Sequence, residues 1–182
     1  MAVELLGGRL LAPTFGSSIY VWGAIITTFM LALSLGYLAG GRWSTRAPSV
    51  RRLGMILIAA ALSVTPILIG AEALLEVVAV RIPDPRFGSL LAATALFFVP
   101  TFISGMVSPY AIRLLVPDRA TAGRHAGQLY FVSTFGSAAG TLLTSFYFVL
   151  LMEVNQILLA MLAISLALGA VACLVRPAPD EQ

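Results

Sequence analysis

Five apolar runs of about twenty residues or more, nearly free of charge, constrain this chain more than any other feature. They cover 17–40, 53–80, 89–115, 128–152 and 156–175. About 20 apolar residues suffice to cross the hydrocarbon core of a bilayer as a helix. Hydrocarbon offers no hydrogen bonds, so a backbone that enters it must satisfy its own, and each run is expected to be helical. Composition points the same way. Charged residues make up 10% of the chain and hydrophobic ones 59%, against about 25% charged in soluble domains. The expected fold is an all-α integral membrane protein, a bundle of about five transmembrane helices with a short N-terminal helical segment. The second and third runs contain Pro66, Pro100 and Pro109, and kinks or tilts are expected there.

Arginine placement sets the orientation. All eleven basic residues are arginine. Arg42, Arg46, Arg51 and Arg52 lie between the first two runs, Arg113, Arg119 and Arg124 between the third and fourth, and Arg176 after the fifth. Arg9, Arg81 and Arg86 lie on the other side. The eight-to-three excess places the Arg-rich loops and the C-terminus in the cytoplasm of a multi-pass chain in a bacterial-type inner (plasma) membrane. Residues 1–16 are then external or in the outer leaflet, 17–176 form the membrane domain, and 177–182 form a cytoplasmic tail. The start has no basic n-region and does not read as a signal peptide. Two explanations of an external N-terminus stand side by side. Either an earlier helix precedes this start, or the first residues form an interfacial or re-entrant helix.

Charges close to a bilayer are default site hypotheses. Glu72 and Glu76 are four apart near the outer end of the second run and share a helix face. They suit a cation such as a di- or polyamine; alternatively the helix has already left the hydrocarbon and both are solvated near Arg81. Glu4 and Arg9 flank Gly7-Gly8, and pair with each other or with a neighbouring helix. Tyr20 and Trp22 open the first run as interface aromatics. Glu4, Tyr20 and Trp22 join Glu72 and Glu76 as candidate substrate-binding residues.

Small residues mark expected helix contacts. Gly36 and Gly40 are four apart, as are Gly136 and Gly140, and Ser133, Ser137 and Thr141 form a neighbouring stripe. Such stripes let helix backbones approach closely. The spacing reads first as packing. Catalytic and cofactor signals are missing. Cys173 is the only cysteine and His125 the only histidine, so neither a disulfide nor a metal site is expected. Ser17-Ser18 and Ser133-Thr134 have no base nearby in sequence. A net charge of +3 confined to loops argues against nucleic acid as a partner.

Three stretches carry a family resemblance. They are Glu4-Leu-Leu-Gly-Gly-Arg-Leu-Leu-Ala-Pro-Thr-Phe-Gly-Ser-Ser-Ile-Tyr-Val-Trp22 with Leu35-Gly-Tyr-Leu-Ala-Gly-Gly-Arg42, then Pro100-Thr-Phe-Ile-Ser-Gly-Met-Val-Ser-Pro-Tyr-Ala-Ile-Arg-Leu114, then Gly127-Gln-Leu-Tyr-Phe-Val-Ser-Thr-Phe-Gly-Ser-Ala-Ala-Gly-Thr141. Together they resemble the transmembrane region of membrane-bound spermidine-synthase-like proteins, the fused major-facilitator/spermidine synthases. In that family the membrane region commonly precedes a cytosolic aminopropyltransferase-like domain with a Rossmann-type nucleotide site. The resemblance implies that aminopropyl transfer belongs to such a domain or to a separate partner chain, not to residues 1–182. Gly36-Tyr-Leu-Ala-Gly-Gly-Arg42 also looks like the loop between the first two helices of major-facilitator transporters, with glycine where an acid is usual, so the gating role of that acid is not carried over. The expectation is a non-catalytic membrane module that anchors a cytosolic enzyme and binds or passes a polyamine. The alternative is a small independent transporter of a cationic amine, assembled as a homo-oligomer. A third class, a membrane enzyme acting on lipid or an amine, finds no clustered polar residues to serve it.

Overall fold

A computed structural model describes residues 1–45, 48–116 and 122–175. Its elements are α1 (Ala2–Phe15), α2 (Ile19–Ser44), α3 (Val50–Leu62), α4 (Thr65–Arg81), α5 (Pro85–Gly105), α6 (Val107–Leu115), α7 (Ala122–Leu143), a π-helical turn (Thr144–Phe148), α8 (Val149–Leu151) and α9 (Val154–Leu174). The described residues contain no strand. Five spans are long and apolar enough to cross a membrane, 19–44, 50–81, 85–115, 122–151 and 154–174. The fold is an all-α membrane bundle.

The spans start and stop where capping chemistry dictates. Ser49 caps α3 by accepting from Arg52 N at 3.2 Å, and Asp84 caps α5 by accepting from Arg86 N at 2.9 Å. Glu153 and Gln156 form a reciprocal capping box at the start of α9. The second run, expected as one helix over 53–80, breaks into α3 and α4 at Ser63 and Val64. Pro66 explains the position. It lacks an N–H and disfavours helical backbone before it, so it sits in the first turn of a new helix. The third run breaks at Met106, three residues before Pro109. Pro100, by contrast, lies inside α5.

The core lies between α2 and α5. Val21, Ile25, Phe29, Ala32, Gly36 and Gly40 recur every three to four residues along α2 and are buried, one stripe of an amphipathic helix turned inward. They meet the stripe of α5 through Ala93, Phe97, Pro100 and Gly105. Phe29 and Phe97 touch with ring centroids 5.5 Å apart. Thr28 and Thr94 hydrogen-bond between the two helices at 3.3 Å.

The N-terminal segment, expected as an interfacial or re-entrant helix, packs against the other helices. α1 lies within the bundle, with Leu6 and Leu11 fully buried in the same cluster as Ile25, Leu75 and Phe97. Its residues explain this. Gly7 and Gly8 let α1 approach the rings of Phe97 and Trp22, while Leu6 and Leu11 fill the space behind them. The chain then turns at Gly16, whose φ of 77° and ψ of −172° belong to a region essentially restricted to glycine.

Burial is uneven. In the most apolar window of each span, 44% of the third is buried but only 6% of the fourth. α7 has no buried residue and joins the bundle at its edge, against α6 and α1.

Candidate functional site: a hydroxyl-lined cleft beside the fourth span

Apart from Arg9 on α1, the described arginines separate into two groups. Arg42 ends α2, Arg51 and Arg52 begin α3, Arg113 ends α6 and Arg124 begins α7. These ends gather together. Tyr110 of α6, fully buried, accepts a hydrogen bond from Ser49 N at 3.2 Å, and Ser44, Arg113 and Ala122 share one surface hollow. Arg81 ends α4 and Arg86 begins α5 at the opposite end. Arg46, Arg119, Arg176 and the expected tail 177–182 lie outside the described residues.

The expected residues do not converge on one site. Glu72 and Glu76 are both exposed on α4, with Ala71, Leu75 and Val78 turned to the core. Glu72 borders a small cavity of about 100 Å3 with Leu10 and Asn155; Glu76 does not. Glu4 is half-buried on α1. Arg9 reaches the neighbouring fourth span, where its guanidinium donates to Val149 O at 3.2 Å. That carbonyl lies in the last turn, where helical partners run out. Tyr20 carries Arg86 on its ring, 4.7 Å from the centroid, and its hydroxyl accepts from Arg86 at 3.5 Å. Trp22 covers Gly8.

The two glycine pairs differ. Gly36 and Gly40 meet α5 and the α5–α6 junction so closely that a methyl at Gly36 would strike Phe102 O, and one at Gly40 would lie 2.6 Å from Met106 Cα. Around Gly136 and Gly140 nothing lies within 4 Å, so within one chain this pair packs against no helix. A second close crossing had not stood out in the sequence. Gly54 on α3 lies against Gly169 O and Cys173 on α9, and Gly169 against Ile58. Its two glycines are distant in sequence and belong to different spans, so no spacing within one run announces them. Cys173 is partly exposed and donates to Arg51 O at 3.6 Å.

A larger concavity than the one beside Glu72 lies elsewhere, between α2, α6 and α7. It measures about 800 Å3 and is open on one side. Tyr37 and Ser108 line it from α2 and α6. Tyr130, Ser133, Ser137 and Thr141 line it from α7, one helical stripe at three- and four-residue steps. Only the Ser133, Ser137 and Thr141 part of this set was visible as a pattern; its partners come from other helices. Among the described residues no group of His, Cys, Asp or Glu is arranged to hold a metal ion, and His125 lies in the first turn of α7.

No family model, curated protein or solved structure matches this chain.

Proposed function

We propose that this chain is a non-catalytic membrane module that anchors a cytosolic aminopropyltransferase-like enzyme at its arginine-rich end. One observation carries the reading. Arg42, Arg51, Arg113 and Arg124 come from the ends of four helices and gather at one end of the bundle, where the Tyr110–Ser49 hydrogen bond ties α6 to the start of α3. This end is a basic surface, suited to an acidic face on a soluble partner. The three sequence stretches that resemble spermidine-synthase-like membrane regions supply the class of partner. By the positive-inside rule the same end faces the cytoplasm, where such an enzyme works.

The test uses cells that express the chain with the enzyme. Removing the chain is expected to move the aminopropyltransferase-like protein from the membrane to the soluble fraction. Arg42→Glu with Arg113→Glu is expected to do the same while the chain itself stays in the membrane. An enzyme that stays membrane-bound in both cases overturns the proposal.

A further inference from the structure

Arg9 does more than tie α1 to the fourth span. It borders a cavity of about 300 Å3 between α1, the start of α2 and the π-helical turn, a volume at the lower end of sites that hold small molecules. The turn decides which residues reach it. α-Helical spacing puts residues five apart on different faces, whereas i→i+5 bonding over Thr144–Phe148 brings them closer to one face. Thr144, Ser145 and Val149 all line the same cavity. The site lies by the start of α2, away from Arg42 at its other end, so the inference is independent of the anchoring reading.

Two polar groups at this cavity keep bonding capacity. Arg9 donates from one terminal nitrogen to Val149 O. No carboxylate pairs with it among the described residues, and neither Glu4 nor any other acid lines the cavity. A guanidinium carries five N–H donors in a planar fork, so that one bond leaves an edge for two further oxygens. Thr144 is the second group. It is only 3% exposed, yet it lines the cavity. Helical hydroxyls ordinarily donate to a carbonyl in the preceding turn, as Ser34, Ser89 and Thr94 do at 2.6–2.7 Å. The Thr144 hydroxyl makes no hydrogen bond among the described residues. A buried hydroxyl without a partner is costly, and a ligand oxygen at this place satisfies it.

The lining defines the occupant. One arginine with no acid beside it calls for one negative charge, and its planar fork matches paired oxygens. A polyamine would meet a like charge. Leu5, Ala12 and the ring of Trp22 supply an apolar wall. We propose that the cavity binds a singly charged oxyanion with a small apolar body, its oxygens on Arg9 and Thr144 and its body against Trp22. A dissolved carboxylate and the phosphodiester headgroup of an anionic lipid share this chemistry.

Trp22 reports on the site directly. The chain has two tryptophans, and Trp43→Phe leaves Trp22 alone. The full chain with this change, stripped of co-purified lipid and placed in phosphatidylcholine nanodiscs, is titrated with trichloroacetate, an anionic quencher of indole fluorescence, and with its neutral counterpart trichloroethanol. Quenching by trichloroacetate is expected to saturate. Excess butyrate should restore the emission, and spermidine should not. Quenching by trichloroethanol should be indifferent to butyrate. Thr144→Val leaves the Arg9–Val149 bond in place and should weaken trichloroacetate binding about tenfold, as for one hydrogen bond to a charged group. Arg9→Gln should abolish saturation, and Ser34→Ala should change nothing. If Arg9→Gln fails to fold, Thr144→Val decides. Native mass spectrometry of the chain purified in mild detergent separates the two sources. One phosphatidylglycerol retained per chain, and lost in Thr144→Val, identifies the lipid headgroup; restoration by butyrate with no retained lipid identifies a dissolved carboxylate. Quenching that rises without saturating overturns the proposal. So does restoration by spermidine as full as that by butyrate, or undiminished binding in a folded Thr144→Val chain.

Discussion

At the scale of single residues, the bundle rests on positions where a small or polar group decides whether helices can meet. Gly40 allows Met106 to approach so closely that a methyl would lie 2.5 Å from its carbonyl oxygen. That neighbour is backbone and cannot rotate away. Gly40→Ala is therefore expected to destabilise the detergent-solubilised chain by about 1–3 kcal/mol, the usual cost of overpacking. Gly136→Ala, with nothing within 4 Å, should leave the melting temperature nearly unchanged. Equal shifts from the two variants would mean that α7 packs as tightly as α2. Tyr110 acts through its hydroxyl as well as its ring. The ring is fully buried and the oxygen accepts from Ser49 N, fixing the start of α3 beside the end of α6. Tyr110→Phe retains the ring and leaves that N–H unbonded, which should cost about 1 kcal/mol in thermal unfolding.

At the scale of elements, the fourth span differs from the others. α7 buries no residue, and the span passes through a π-helical turn before ending at Leu151. Its C-terminal end is tied to α1 by the Arg9–Val149 bond. Arg9→Gln shortens the reach and removes the charge. Hydrogen exchange over 144–152 should accelerate in that variant, while exchange in α2 stays as it was. Unchanged exchange in that segment would show that the arginine is not what holds it. Aromatic truncations should separate the two kinds of helix. Phe97 is fully buried in the main core, so Phe97→Ala should cost about 3–5 kcal/mol. Phe135 is 66% exposed and stacks only along its own helix, on Phe131 at 5.9 Å; Phe135→Ala should cost under about 0.5 kcal/mol.

At the scale of the whole molecule, the two ends of the bundle carry different charge, and the proposed orientation rests on that difference. The basic end holds the start of α3 and the start of α7; the other holds the α4–α5 turn at Asp84. In a Cys173→Ser background, single cysteines at Ser49 and Gly123 should react with an impermeant maleimide only after the membrane is opened. A cysteine at Asp84 should react in intact cells. The reverse pattern would invert the bundle and remove the basic end from the cytoplasm, and with it the proposed docking face for an enzyme.

The sequence by itself determined the solvent, the number of spans and their approximate ends. Those follow from hydrophobic runs and from the need of a backbone in lipid to satisfy itself, both of which are local. Pro66 and Pro109 were legible as interruptions for the same reason. How α1 sits was not legible, because Glu4, Arg9 and two glycines read equally as an interfacial or a re-entrant segment until Leu6 and Leu11 are seen buried against other helices. Nor was it legible that Gly36 and Gly40 meet a neighbour while Gly136 and Gly140 do not, since identical spacing says nothing about what lies opposite. The acidic residues 72 and 76 share a helix face by spacing alone, yet neither borders the large cleft. The cleft itself is a tertiary product. Tyr37, Ser108 and the α7 hydroxyls are separated by tens of residues, and only the packing of α2, α6 and α7 brings them to one wall.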